Sequence, residues 1–199
     1  MSLATVPRSA APLATAGVLL LALAPLAVTT TLGAQDTLRP PAAAATLGHA
    51  PSAPAVRVSL GEEALVPGDH GRVSVRTRAD GWVVVLQADP TGHVRVLFPL
   101  DPFDSAQTIR GDADLVVRSR GGGRDAFTAG SALGDGTVLA AFSADRPFRA
   151  GRYARNGHWD PRAFPRVAAG ADAEGELLAL VGELLPRGAR FDYDVAGYR

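Results

Sequence analysis

The stretch from Arg146 to Arg166, RPFRAGRYARNGHWDPRAFPR, places six arginines among Phe148, Tyr153, His158, Trp159 and Phe164. Arginine and large aromatics are the side chains enriched at interface anchors. A guanidinium pairs carboxylate or phosphate through two hydrogen bonds, and aromatic faces stack on planar groups. The candidate binding residues are therefore Arg149, Arg152, Tyr153, Arg155, His158, Trp159 and Phe164. The segment follows no strand pattern, and loops on a rigid scaffold often carry function. The alternative is an ordered loop with Trp159 and Phe164 packed on a sheet and its arginines solvated.

Other chemistries find less support. A serine hydrolase elbow needs G-x-S-x-G, and Gly130-Ser-Ala-Leu-Gly134 has the wrong spacing. Nothing local ties His70, His93 or His158 to a serine. No H-E-x-x-H is present, and His158 lies two residues from Asp160 without further ligands nearby. Asp101–Asp104 and Gly111–Asp114 put carboxylates in loops, but neither follows the twelve-residue calcium pattern. Arg110-Gly-Asp112 spells an adhesion tripeptide, which an Arg-, Gly- and Asp-rich chain produces by chance. All 20 basic residues are arginine, so lysine nucleophiles and the P-loop lysine are excluded. The chain has no cysteine, which excludes thiol catalysis, disulfides and cysteine zinc sites. We expect no enzyme, no catalytic residue, no metal and no cofactor.

The chain has 199 residues and a formal charge of zero. Residues 1–34 read as a secretory signal peptide: Arg8 supplies the positive start and Ala16–Val28 the apolar core. That core is shorter than the roughly 20 residues of a membrane span. Cleavage is expected between Ala34 and Gln35, after which 19 arginines face 20 acids and no stable span remains. This balance argues against nucleic acid as a partner, since phosphate binding requires a clustered positive excess. Residues 35–55 form a Pro/Ala-rich flexible stem, broken by Pro40, Pro41, Pro51 and Pro54.

From residue 56 to 199 a domain with period-two patterning takes over. Val56–Leu60 and Arg72–Thr77 alternate apolar and polar, as half-buried strands do. Asp80-Gly81 has the composition of a hairpin turn. Trp82–Ala88 is apolar on both faces, which predicts a central strand covered on each side. Asp89–Gly92 is a second turn, His93–Phe98 returns, and Pro99 stops it. Further strands are expected near Gln107–Arg110, Leu115–Arg118, Thr137–Ser143 and Arg190–Val195. One helix is predicted over Ala173–Leu185, with Leu177, Leu180, Val181 and Leu184 on one stripe. Asp172 caps its start, Pro186 ends it, and it is expected on the edge of the β structure.

Val66–Pro99 carries a recognisable series: Pro67-Gly68-Asp69, then Asp80-Gly81-Trp82, then Asp89, Gly92 and Leu97-Phe98-Pro99. It resembles a bacterial domain-of-unknown-function family, over about Val56 to Phe148. The family occurs as secreted proteins and as a domain appended to bacterial kinases and caspase-like peptidases. The resemblance implies an immunoglobulin-like β-sandwich and brings no catalytic residue. By turn chemistry alone, Gly68 and Gly92 supply turn geometry, while Asp69 and Asp89 bond nearby backbone amides. The fold class expected is all-β, with one short C-terminal helix. The function expected is an exported, non-catalytic envelope module that binds a protein or cell-surface partner. Its destination is the periplasm, cell surface or medium. Two alternatives stand beside it: a periplasmic hydrolase acting on cell-wall material, and a self-assembling surface-layer component.

Overall fold

The computed structural model describes residues 54–104, 107–167 and 172–199. The expected signal peptide, the expected Ala34–Gln35 cleavage site and all but the last two residues of the expected stem lie outside them. The described chain is mostly β, in several antiparallel sheets, with one short C-terminal helix.

The strand that is apolar on both faces organises the rest. It is β4, Gly81–Ala88, buried at every residue from Val83 onward. On one side it pairs with β9, Gly136–Ser143, in continuous register from Trp82↔Ser143 to Ala88↔Thr137. On the other side it pairs with β5, Val94–Phe98, through a bulge, and with the short β6, Thr108–Ile109. The last strand, β12, Asp192–Tyr198, lies outside β9, giving the order β12-β9-β4-β5. A three-stranded sheet contains β1 (Val56–Leu60), β3 (Val73–Thr77) and β7 (Asp114–Val117), in the order β1-β3-β7. Two small ribbons complete the β structure. One joins β2 (His70–Gly71) to β8 (Phe127–Thr128), the other β10 (Ala154–Arg155) to β11 (His158–Trp159).

Period-two alternation divides the core in two. Val83 and Val85 share one apolar cluster with Val56, Val58, Val73, Val75 and Val117 of the three-stranded sheet. Val84, Leu86 and Ala88 point the other way, into a second cluster. There they meet α1, Ala173–Leu184, through Leu177, Leu180, Val181 and Leu184. The helix therefore covers a sheet face and not an edge, because β4 and β9 present an apolar row there that must be buried. Asp172 caps it by accepting a hydrogen bond from the Gly175 N–H at 3.1 Å.

The turns divide as well. Gly68 and Gly92 adopt φ of +94° and +80°, and both connections close as expected. Asp80-Gly81 makes no hairpin. The chain there passes from β3 in one sheet to β4 in the other. Gly81 is needed because a β-carbon would fall 2.6 Å from the Ser143 carbonyl oxygen and against the Phe142 ring. A two-residue hairpin does form at Asn156-Gly157, with φ of +51° and +84° joining β10 to β11.

Candidate functional site

The arginine- and aromatic-rich stretch folds over the helix-side face of the five-stranded sheet. Gly151–Tyr153 makes one 3-10 turn, and the β10–β11 ribbon follows. Tyr153 and Phe164 are buried and stack at 4.8 Å between ring centroids. Trp159 is half-buried, tilted against Phe164 at 6.2 Å, and donates its indole N–H to the Pro99 carbonyl at 2.8 Å. The aromatics thus belong to the second core cluster, while Arg149, Arg152, Arg155 and His158 are exposed.

The structure brings Tyr153, Trp159 and Phe164 together and gives the charged residues separate partners. Arg152 bonds Glu183 at 2.6 Å and the Tyr153 hydroxyl at 2.9 Å, and Tyr153 donates to the same carboxylate. Burial pushes the Tyr153 hydroxyl up, and the hydrogen bond to Glu183 adds to this. Arg155 pairs with Asp160 at 3.1 Å. The Arg149 backbone N–H bonds the Leu184 carbonyl at 2.6 Å, near the end of α1. His158 reaches elsewhere, with Nδ1 at 2.7 Å from Asp101.

Trp159 and Phe164 take part in a groove of about 480 Å³. Along its floor runs β5, contributing Arg95, Val96 and Leu97. Trp159 and Phe164 of the second cluster and Phe127 of the first also line it, with Pro161, Thr128, Arg120 and Asp125. Asp101 ties the segments around it together. It accepts from Arg120 at 2.5 Å and meets His158, and Arg120 also donates to the Leu100 carbonyl. Arg120 first, and His158 second, hold the Asp101 carboxyl below the usual carboxylate range. Arg95 pairs with Asp89 at 3.1 Å. Burial works against the Asp89 charge, but hydrogen bonds from Thr91, the His93 amide and Arg95 outweigh it and lower its pKa.

His70 and His93 differ from a relay in a definite way. Asp125 and Thr128 both approach Nδ1 of His70, at 3.7 and 3.5 Å. Thr91 and Asp89 likewise both approach Nδ1 of His93, at 2.6 and 3.8 Å. A base in series needs the hydroxyl on one ring nitrogen and the carboxylate on the other. Among the described residues no group of three or more His, Asp or Glu side chains is placed to hold a metal.

Arg95 and Arg120 line the groove and Asp101 holds Arg120 beside it, and sequence reasoning assigned none of the three to binding. Arg95 carries one signal, a charged outward position on an otherwise apolar strand. Arg120 and Asp101 carry none, because only the sheet order brings them to Trp159. Compared with family models, with curated proteins and with solved structures, the chain finds no match in any of the three.

Proposed function

We propose that this chain is an exported, non-catalytic module of the bacterial envelope that binds a protein or cell-surface partner through the groove along β5. The observation that carries this is the groove itself, where Leu97, Phe127, Trp159 and Phe164 stand among the charged Arg95, Arg120 and Asp125. Apolar and aromatic surface with a few placed charges is the composition of a recognition site. Export rests on Arg8, the apolar Ala16–Val28 and the small residues before Gln35. The non-catalytic reading is supported by the shared Nδ1 contacts of His70 and His93. At a finer level we read the two larger antiparallel sheets and their common core as an immunoglobulin-like β-sandwich. The resemblance of Val66–Pro99 to the bacterial family supports that reading.

The test is a crosslinking pull-down from bacterial envelope extract, with Trp159→Ala and Arg120→Glu as comparison baits. Trp159 is part of the packing, so circular dichroism must first show that each variant is folded. Arg120 is exposed, and its reversal leaves the core intact. A partner captured by the unaltered chain and lost with both folded variants supports the reading. A partner that ignores both substitutions refutes the placement.

A further inference from the structure

The open edge of β5 shows what kind of partner the groove fits. β5 ends the strand order β12-β9-β4-β5, so β4 occupies one of its edges and, among the described residues, no strand occupies the other. In an antiparallel pair, hydrogen bonding alternates residue by residue. The Asp89 N–H donates to the His93 carbonyl, which sets the phase. Gln87 and Arg95 then exchange bonds, while Val94 and Val96, opposite Ala88 and Leu86, turn their backbone groups to the free edge. Such a row, which here runs as far as the bulge beyond Val96, is a template for another strand.

The molecule uses the beginning of that row itself. Arg166 makes an antiparallel bridge to His93, and the Val167 N–H donates to the Gly92 carbonyl at 2.9 Å. Among the described residues the pairing goes no further along β5. The groove begins there, over Arg95, Val96 and Leu97. Val96 packs toward the cluster that holds Trp159 and Phe164, and Leu97 toward the cluster that holds Phe127. The free edge therefore runs between two walls of side chains, as a strand-binding groove requires.

We propose that the groove takes an extended peptide segment of a partner protein as an added strand, antiparallel to β5 and in line with residues 165–167. This rests on the groove being the binding site. The added strand alternates, with apolar side chains against Trp159 and Phe164 and acidic ones toward Arg95 and Arg120. A guanidinium has five N–H donors. Arg95 gives one to Asp89, and Arg120 divides its donors between Asp101 and the Leu100 carbonyl, so both keep capacity for a second acceptor, while the acid that also lines the groove, Asp125, is itself paired with Arg72.

The experiment is selection of displayed random decapeptides on the full chain, followed by methylation of each backbone nitrogen of a selected peptide in turn. Strand addition predicts that affinity falls about tenfold or more at the one position whose N–H meets the Val96 carbonyl and little at its two neighbours, because those amides point away from β5. The Val96 amide should also gain hydrogen-exchange protection when peptide is bound. Peptides that bind, depend on Arg120, and show no alternation overturn strand addition and leave the groove reading standing. Strand addition is likewise overturned, and the groove reading kept, if no peptide binds but the envelope partner still depends on Trp159 and Arg120. Failure of both peptide and envelope partner removes the groove reading as well. Protection of Val96 that rises with protein concentration alone would make the occupant a second copy and overturn the proposal.

Discussion

Gly136→Ala should destabilise the protein by about 3 kcal/mol, through a side chain 62 residues away in the chain. Gly136 is opposite Tyr198 in the β9–β12 register. A β-carbon at position 136 would fall 2.6 Å from a Tyr198 ring carbon and 2.5 Å from its hydroxyl. The ring must leave its place, where it is 6% exposed and lies 5.1 Å from the Phe127 centroid. It also accepts a hydrogen bond from the buried Gln87 amide at 2.5 Å. A tyrosine ring buries 150–250 Å², so complete loss would cost about 4–6 kcal/mol at roughly 25 cal/mol per Å². Partial rearrangement brings this down to the 1–3 kcal/mol typical of overpacking, plus the broken contacts with Gln87 and Phe127. Tyr198→Ala alone should cost about 3–5 kcal/mol. On that background Gly136→Ala should be neutral or slightly stabilising, since the clash is gone and alanine restricts the unfolded chain. The assay is urea unfolding followed by Trp82 and Trp159 fluorescence, as a double-mutant cycle. Additivity within about 0.5 kcal/mol would refute the reasoning, because it would mean the two positions do not meet.

Four further outcomes follow from the same contacts. Leu180→Ala should cost about 2–5 kcal/mol in the same unfolding assay, since Leu180 is 3% exposed between α1 and the sheet. Gly92→Ala should release residues 165–167 from β5, because its β-carbon would fall on the Val167 carbonyl oxygen at a residue whose φ is +80°; faster hydrogen exchange at the Val167 amide reads this. Asp194→Ala should cost about 1–2 kcal/mol, with Asp194→Asn milder, because its carboxylate accepts the Val58 N–H at 2.8 Å on the edge of β1. The Asp89 carboxyl, depressed in the fold, stabilises above its unfolded pKa of about 3.9, and that contribution fades as pH falls through the lower folded value; an acid unfolding series with Asp89→Asn should show a smaller loss of stability below pH 4.

What the sequence made legible was whatever its local periodicity controls. The two-faced apolar run of β4 announced a central strand, and its cover on both sides followed from the hydrophobic effect alone. The stripe of Leu177, Leu180, Val181 and Leu184, with Asp172 before it and Pro186 after, located the helix to within one residue. What covers each face was not legible, since periodicity says that a residue is buried and not against what. The two glycine turns show the limit. Asp80-Gly81 looks like a hairpin by composition, yet its glycine answers a steric demand from Phe142 across the sheet. Asn156-Gly157 has the stronger hairpin composition and makes a hairpin, but its flanking strands are only two residues each, too short to show an alternation. The final strand was expected over Arg190–Val195, and it continues to Tyr198 because Gly136 makes room for that ring. At the site, Trp159 and Phe164 stood out by type. Arg95 and Arg120 come from distant segments, and a pairing order set by long-range contacts is invisible to local pattern.

The edges of this molecule explain why the groove falls where it does. An exposed strand edge invites pairing, and folded proteins blunt it with charge, proline or cover. At β1 an acid does this: Asp194 reaches from β12 and takes the Val58 N–H. At the start of β5 a covering segment does it, through the bridge from Arg166 to His93. Beyond that bridge the described residues place no strand on Val96, and apolar side chains stand on both sides of it. Unpaired backbone and apolar walls are each costly to leave in water, the first through aggregation and the second through exposed hydrocarbon. Both are accounted for together by an occupant that pairs with the one and packs against the other. Arg120 is held by Asp101 and the Leu100 carbonyl, and Trp159 by the Pro99 carbonyl, so the proposed strand would meet side chains already fixed on both sides of β5.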